Sequence, residues 1–554
     1  MITRRASIFS GLLVLLVLGA YVLYPSVELF RVGLRPSLYQ RIFSSLAGAN
    51  VRGLWNSVYV SVLTVGGAGV LGTSLAFFLS RYAFPLRRLI VGLAVLPLAL
   101  PPLVGVIAFL FLYGESGILP RSLQALFDLE SVPFSFEGIV AIWVVHVYSM
   151  YVYFYLFVAA ALRGVDRSTY EASFDLGAGG ATTFRRVILP LLKPALVGAA
   201  LLVFMISMAS FTAPLLFAGA EPFLTLQIFN YKMNGDVSMS AGVATVLTLI
   251  CLLFLVLIDR FGRTRGSVAT KGVAAPAAPV RGRLAGLAVM VASGVFVLVL
   301  LLPIATIFLV SFAEEGSWTY QLLPERYTFA NYAALAADPD VLAPILNSLS
   351  MALIATVGNL LFGVIAAVYI VKTRVPGRGV ARALAILPFA IPGTVIAVNL
   401  IAAFNQPSLP GFGQILVGTF WILPLAYFVR NVPLVVRATT AALERYDDRL
   451  TEASLDLGAT HLLTMWRIVL PVIRPAVMAG TLLSFVAAVG EFVSSILLYV
   501  YSNRPISVEI LAQLRLYDFG AAAAYAVFLM GIILLSTAVL RRLGGSASAA
   551  GEYF

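Results

Sequence analysis

The sequence predicts an all-α polytopic membrane protein, about twelve transmembrane helices arranged as two parallel six-helix repeats. Three observations lead there. Of the 554 residues, 61% are hydrophobic and only 11% charged, where soluble domains carry roughly 25% charged residues. Several apolar runs reach the roughly 20 residues that cross a bilayer as helix. A pattern of glycines, prolines and acids also recurs in the two halves at nearly constant spacing. Hydrocarbon offers no hydrogen-bond partners, so each span must satisfy its own backbone, and helices are expected.

The chain opens "MITRRASIFSGLLVLLVLGAYVLY". Two arginines before an apolar core resemble a signal peptide, but the core is long and no clear Ala-x-Ala cleavage site follows, so it reads as an uncleaved first span. Spans are expected near 8–28, 54–80, 89–113, 138–162, 194–217 and 240–259, then near 284–311, 345–371, 380–404, 412–436, 476–500 and 521–540. Between the two sets, "FGRTRGSVATKGVAAPAAPVRGR" is rich in Ala, Pro, Gly and base and has no apolar face, so it reads as a solvated linker. The expected organisation is a first repeat at 1–260, a cytoplasmic linker at 261–283 and a second repeat at 284–554.

Charge sets the orientation. With the N-terminus inside, cytoplasmic loops hold 27 of the 37 Lys and Arg and outside segments hold nine, the last being Arg430 within an expected span. Both termini are then cytoplasmic, and the net charge of +12 reflects loop bias rather than nucleic-acid binding. One cysteine, Cys251, excludes an internal disulfide and a cysteine metal cluster, and His146 and His461 lie far apart in sequence. No convergent set of His, Cys or carboxylates suggests catalysis or a bound metal.

The repeat runs through both halves. "NSVYVSVLTVGG" from Asn56 matches "NSLSMALIATVG" from Asn347, 291 positions later, and the same offset pairs Pro85 with Pro376, Pro97 with Pro388 and Pro101 with Pro392. Beyond a longer outside loop near 114–137 the offset becomes 281, pairing Glu171 with Glu452, Gly177 with Gly458, Pro190 with Pro471 and Phe211 with Phe492. Six spans per half give both halves one orientation, related by an axis along the membrane normal, with a natural place for a pathway at the centre.

Two polar stretches interrupt the apolar pattern at matched places: "YEASFDLGAGGATTFRRVILPLLKPAL" (170–196) and "TEASLDLGATHLLTMWRIVLPVIRPAV" (451–477). They lie in the expected cytoplasmic loops 163–193 and 437–474. Ser168 and Glu171 have capping-box spacing, and Gly177 suits a left-handed helix stop. In the second copy Arg449 takes the cap position, so only the Gly458 stop repeats cleanly. Pro190 and Pro471 precede the next spans, where a first helical turn tolerates proline. A matched pair of short cytoplasmic helices reads as docking sites for a symmetric partner.

"EASFDLGA…RRVILPLLKPAL" and "EASLDLGA…WRIVLPVIRPAV" resemble the Glu-Ala-Ala loop of permease subunits in ABC importers that use binding proteins, with Ser173 and Ser454 in place of the second alanine. The resemblance implies a fused two-half permease in a bacterial or archaeal cytoplasmic (inner) membrane. Each loop would be a coupling helix seated in a cleft of a cytoplasmic ABC ATPase dimer, with Glu171, Ala172, Gly177, Glu452, Ala453 and Gly458 carrying the contact. ATP would be hydrolysed by that partner, an extracytoplasmic solute-binding protein would deliver the solute, and this chain would bind no cofactor of its own. The fused length and the tail "GEFVSSILLYVYSNRPISVEILAQLR" look most like the ferric iron group, with thiamine, polyamine and aminoethylphosphonate permeases as related alternatives. A secondary transporter independent of ATP is the rival of another class. It would more often carry several ionisable mid-membrane residues and no paired docking helices.

"GAGVLGTS" (67–74) satisfies Gly-x-Gly-x-x-Gly and nearly the Walker pattern, but Thr73 stands where the lysine belongs and the stretch lies within a span. Small residues there suit helix packing, not a phosphate loop, which needs a strand before it. Intramembrane charge is costly and usually functional, which singles out Glu491. Its counterpart is Ser210, and it either attracts a cation in the pathway or pairs with Arg430. Asn399, Asn405, Asn431 and the tyrosine-rich "HVYSMYVYFY" from His146 are weaker candidates. Pro97, Pro101, Pro102, Pro388 and Pro392 break helix hydrogen bonding at matched depths, either as packing kinks or as pathway lining.

Overall fold

A computed structural model describes residues 4–262, 278–280, 282–318 and 321–543. Most of the expected linker, and the two chain ends of the expected repeats, lie outside the described residues. Almost every element is a helix. The first half holds α1 (Ser7–Gly33), α2 (Ala49–Arg81), α3 (Pro102–Tyr113), α4 (Gly138–Arg163), short α5 (Arg167–Asp175), α6 (Gly180–Met208), α7 (Leu224–Met233) and α8 (Val237–Gly262). The second holds α9 (Arg283–Val310), α10 (Pro339–Lys372), α11 (Arg378–Ala390), α12 (Gly393–Phe404), α13 (Ile422–Arg445), short α14 (Arg449–Asp456), α15 (His461–Val489), α16 (Ile506–Arg515) and α17 (Phe519–Leu543).

Among the described residues ten helices are long and apolar enough to cross a membrane, or eleven if α11 and α12, bent by 116°, count as one. The remaining expected span, 412–436, differs in kind. Its helix α13 begins at Ile422 and continues to Arg445, and Arg430, Asn431 and Arg437 leave it less apolar than the ten. The expected span 89–113 is also broken, into short helices Arg87–Leu93 and Leu96–Ala99 before α3, because Pro97 and Pro101 lack the N–H that would continue the ladder. The expected spans 194–217 and 476–500 shift toward the N-terminus. They end at Met208 and Val489, leaving Ser210 and Glu491 just beyond the helix ends.

The two halves exchange their first spans. α1 packs on α10, α11 and α12 as well as on α8 of its own half, while α9 packs on α3 as well as on α17 of its own half. Close approach fixes these crossings: a Cβ on Gly11 would lie 2.7 Å from Cε2 of Tyr369, and the Tyr148 hydroxyl donates to Leu300 O at 2.9 Å. The strand-like pairs Tyr82–Ala83 and Ala278–Pro279 run parallel and tie the end of α2 to the start of α9. At the centre, Phe211 and Phe492, both 1% exposed, bring their ring centroids within 6.1 Å. Repeat-related residues can touch only across the axis that relates them, so this pair marks it.

Without hydrophobic drive between helices in lipid, small residues and close packing hold them together. Gly11→Leu is therefore expected to destabilise the chain by about 1–3 kcal/mol through overpacking. Gly19→Leu, with nothing within 4 Å of its Cβ, should leave stability unchanged. Thermal unfolding midpoints of the two variants in one detergent check the pair.

Candidate functional site

The two short helices α5 and α14 are built alike, though not by the expected cap. Asp166 accepts from Ser168 N at 2.9 Å and Asp447 accepts from Arg449 N at 3.0 Å, two aspartates 281 positions apart. The expected Ser168–Glu171 capping box does not form, because Glu171 instead pairs with Arg167, four residues back on the same helix face. At the other end, Gly177 has φ +79° and Gly458 φ +83°. Gly177 N donates to Phe174 O (2.8 Å) and Ala178 N to Ser173 O (3.1 Å), and Gly458 and Ala459 repeat both bonds. This is a Schellman stop. Nothing lies within 4 Å of a Cβ at either glycine, so backbone conformation, not space, demands them.

The stop carries Leu176 and Leu457 almost wholly into solvent, 88% and 89% exposed. Glu171, Ala172, Glu452 and Ala453 share the exposed faces, while Ser173 and Ser454 point inward. The inward hydroxyls have matched partners: Ser173 Oγ lies 2.9 Å from Thr183 Oγ1, and Ser454 Oγ lies 2.9 Å from Thr464 Oγ1, all four buried. A second tie runs to the long spans. Arg81, ending α2, sits 5.2 Å over the Tyr170 ring, and Lys372, its equivalent ending α10, meets Asp448 at 2.6 Å and lies 5.3 Å over Tyr446. Burial raises the Tyr170 phenol above its ordinary pKa, and the Arg81 charge pulls the other way. Each short helix is thus fastened to the span after it, and its N-terminal flank or first turn to the end of α2 or α10.

The following spans open with matched π-turns, Phe184–Ile188 and Met465–Val469, in which Leu189 N reaches Phe184 O and Leu470 N reaches Met465 O. Pro190 and Pro471 explain them, since a proline ring crowds the carbonyl four residues back and has no N–H to offer it.

At the other end of these spans the helices stop inside the protein. Glu491, 6% exposed, meets Arg430 Nε at 2.7 Å and accepts from Ser494 N at 2.9 Å. Arg430 lies against the α11–α12 bend, where a Cβ on Gly393 would fall 2.1 Å from its Nη1. Hydroxyls of Ser495 and Ser507 donate to Glu491 O, each at 2.8 Å. In the first half the same place is neutral. Ser210 Oγ lies 2.8 Å from His146 Nε2, and His146 Nδ1 faces Ser207 Oγ at 3.1 Å and Thr64 Oγ1 at 3.4 Å. The next helices start on equivalent serines of the long spans: Leu224 N donates to Ser57 Oγ (3.1 Å) and Ile506 N to Ser348 Oγ (2.8 Å).

Of the residues singled out in the sequence, Glu491 and Arg430 come together, and Ser210 joins His146 instead. Asn399 belongs to neither set; its Nδ2 faces Ser26 Oγ on the crossing span α1 at 3.4 Å. Sequence reasoning gave His146 too little weight, although it lies on α4, the helix against which the small-residue stretch of α2 packs. There a Cβ on Gly72 would lie 2.3 Å from Tyr151 O, so Gly67 to Ser74 is a packing surface. Among the described residues no three His, Cys, Asp or Glu side chains gather as a metal-binding group.

Comparison with known proteins follows from this geometry. The family described as "Binding-protein-dependent transport system inner membrane component" matches the chain twice, at residues 68–264 and 359–546. A relative from Sinorhizobium fredii, named "Probable ABC transporter permease protein y4fN", is 29% identical over 522 residues, covering 92% of this chain and 90% of its own. The ferric transport system permease protein FbpB of Actinobacillus pleuropneumoniae is 28% identical over 542 residues, covering 94% of this chain and 76% of its own. A crystal structure of a bacterial ABC transporter involved in alginate import aligns with 48% of this chain and 99% of its own, at 20% identity and a TM-score of 0.37.

Two sets of variants probe the geometry. Thr183→Val leaves the buried Ser173 hydroxyl unpaired and is expected to cost about 1–3 kcal/mol, while Ser173→Ala with Thr183→Val should be nearly neutral. Arg430→Met strands the Glu491 carboxylate, 6% exposed, and should cost about 3–5 kcal/mol, and Arg430→Met with Glu491→Leu should recover most of it. Unfolding midpoints in detergent decide both, and equal losses for single and double variants would contradict the assignments.

Proposed function

The chain belongs to the family of binding-protein-dependent transport system inner membrane components, with the family's domain present twice in one polypeptide, and from that premise we propose that it couples solute passage to a cytoplasmic ABC ATPase dimer. The observation that carries this reading is the pair of repeat-related helices α5 and α14. Each exposes its Glu-Ala face, ends on a positive-φ glycine and is fastened to two spans.

Glu171, Ala172 and Gly177, with Glu452, Ala453 and Gly458, form the surfaces that seat in the ATPase. Leu176 and Leu457 are the apolar contacts that such a cleft would cover. When the dimer closes on ATP, the two short helices move with it. The hydroxyl pairs pass that movement to α6 and α15, and the Arg81 and Lys372 contacts pass it to α2 and α10. Phe211 and Phe492 meet on the axis and close the passage, so their separation opens it. Chemistry at the nucleotide belongs to the partner, and this chain binds and moves. Both short helices and both termini face the cytoplasm of a bacterial or archaeal cell, and an extracytoplasmic solute-binding protein delivers the solute to the opposite face.

Ferric iron is the proposed solute, supported by the similarity to the ferric transport permease over most of both chains. Thiamine, polyamines and aminoethylphosphonate are the alternatives within the same importer class. Binding the iron selectively falls to the delivering protein in this reading, and the permease offers it a path.

The test is uptake of labelled ferric iron in cells of the source organism lacking the gene. Uptake should fall, recover with the intact gene, and stay low with Gly177→Val and Gly458→Val together, since each left-handed position costs a non-glycine residue about 1–2 kcal/mol. The double variant should also copurify less ATPase. Unchanged iron uptake with a fall in thiamine, putrescine or aminoethylphosphonate uptake would reject the solute and keep the importer. Full transport by the double variant, without a copurifying ATPase, would favour a secondary transporter.

A further inference from the structure

Between α2 and α9 lies a cavity of about 700 Å³. Leu71, Phe78, Ile90, Phe184, Val289 and Phe296 line it, with hydroxyls of Thr73, Ser74 and Ser293 as the polar groups on its walls. Both walls are membrane spans, so it opens sideways toward lipid, away from the Phe211–Phe492 axis. The paired strands at Tyr82–Ala83 and Ala278–Pro279 place it near the end of α2 that carries Arg81.

Repeat symmetry shows that the cavity is not a general consequence of the fold. The equivalent of Phe78 is Tyr369, 291 positions later. Tyr369 is fully buried, wedged against Gly11 of the crossing span and hydrogen-bonded to Pro376 O at 2.9 Å. In the second half the crossing helix closes on its neighbour. In the first half α9 stands off and leaves a gap.

The rim is basic. Arg87 Nε donates to Leu79 O at 2.8 Å, and both Leu79 and Ile90, one turn along from Arg87, line the cavity. Neither Arg87 nor its neighbour Arg88 enters an ion pair among the described residues. An apolar slot in a bilayer with two arginines beside its lining is complementary to one molecule above others. Hydrocarbon fills the slot, since an empty one forfeits dispersion contacts, and a phosphate neutralises the rim.

We propose that this cavity holds one acyl chain of an anionic phospholipid whose phosphate rests on Arg87 and Arg88. The occupant touches the ring of Phe184, first residue of the π-turn joining α5 to α6, whose centroid is 4.7 Å from that of Phe77. Lipid in the slot therefore steadies the connection between the short exposed helix and its span. The site requires only that the chain spans a membrane, and it stands whatever the solute or the energy source.

The experiment uses the full chain in phosphatidylcholine vesicles containing phosphatidylglycerol with a diazirine midway along one acyl chain. After irradiation, labelled peptides are mapped. Label should concentrate at residues 71–79 and 288–296 and fall several-fold in Ala292→Phe, which fills the slot. Ala288→Leu, a smaller filler, serves the same purpose should Ala292→Phe fail to fold. Arg87→Gln with Arg88→Gln should weaken the preference for labelled phosphatidylglycerol over equally labelled phosphatidylcholine by about fivefold per arginine. Even labelling of all lipid-facing spans, unaltered by either filler, would overturn the site. Concentrated label with no headgroup preference would overturn the role of the arginines.

Discussion

A backbone that stops being helical inside a membrane must find its hydrogen-bond partners within the protein, and the centre of this molecule is arranged around that requirement. α6 and α15 end at Met208 and Val489, and the polar side chains beyond them cluster where backbone groups are freed. The Glu491 carboxylate takes the Ser494 amide while Ser495 and Ser507 satisfy its carbonyl. Thr225 Oγ1 does the same for Ser210 O at 2.8 Å. Ser57 and Ser348 receive the first amides of the helices that follow. The broken helices give these polar side chains a common cause.

The two halves agree at the short exposed helices and differ where they face each other. At the short helices the aspartate starts, glycine stops, hydroxyl pairs and π-turns repeat almost atom for atom. At the centre one half sets an ion pair on a glycine bend and the other a neutral histidine among hydroxyls. A symmetric ATPase dimer would hold the first set alike. A single solute crossing the axis offers no such constraint on the second, and each half met the desolvation problem with different chemistry.

Much of this was legible in the sequence because it depends on local spacing. Apolar runs located most spans, the 291 and 281 offsets aligned the halves, and Gly177 and Gly458 announced their stops. The failures have physical reasons. Ser-x-x-Glu spacing suggested a cap, but an aspartate two residues earlier reached the free amide first and Arg167 claimed Glu171. The span expected at 412–436 starts ten residues late, at Ile422, and runs on to Arg445. His146 had no visible importance because its partners lie 61 to 82 positions away. The crossing of α1 and α9 could not be read at all, since an apolar face says that a helix is covered and not by what.

That crossing bears on how the chain is made. α1 emerges first and packs on α8 of its own half, yet its other partners, α10 to α12, begin only at Pro339, some 300 residues later. At roughly 5–20 residues per second, translation leaves it in the bilayer for a time on the order of tens of seconds before they exist. α9 has its partner α3 already in place when it is synthesised. Assembly is therefore lopsided in time although the product is nearly symmetric in space: α9 meets α3 at once, and the face of α1 that packs on α10 to α12 waits in lipid for the second half to arrive.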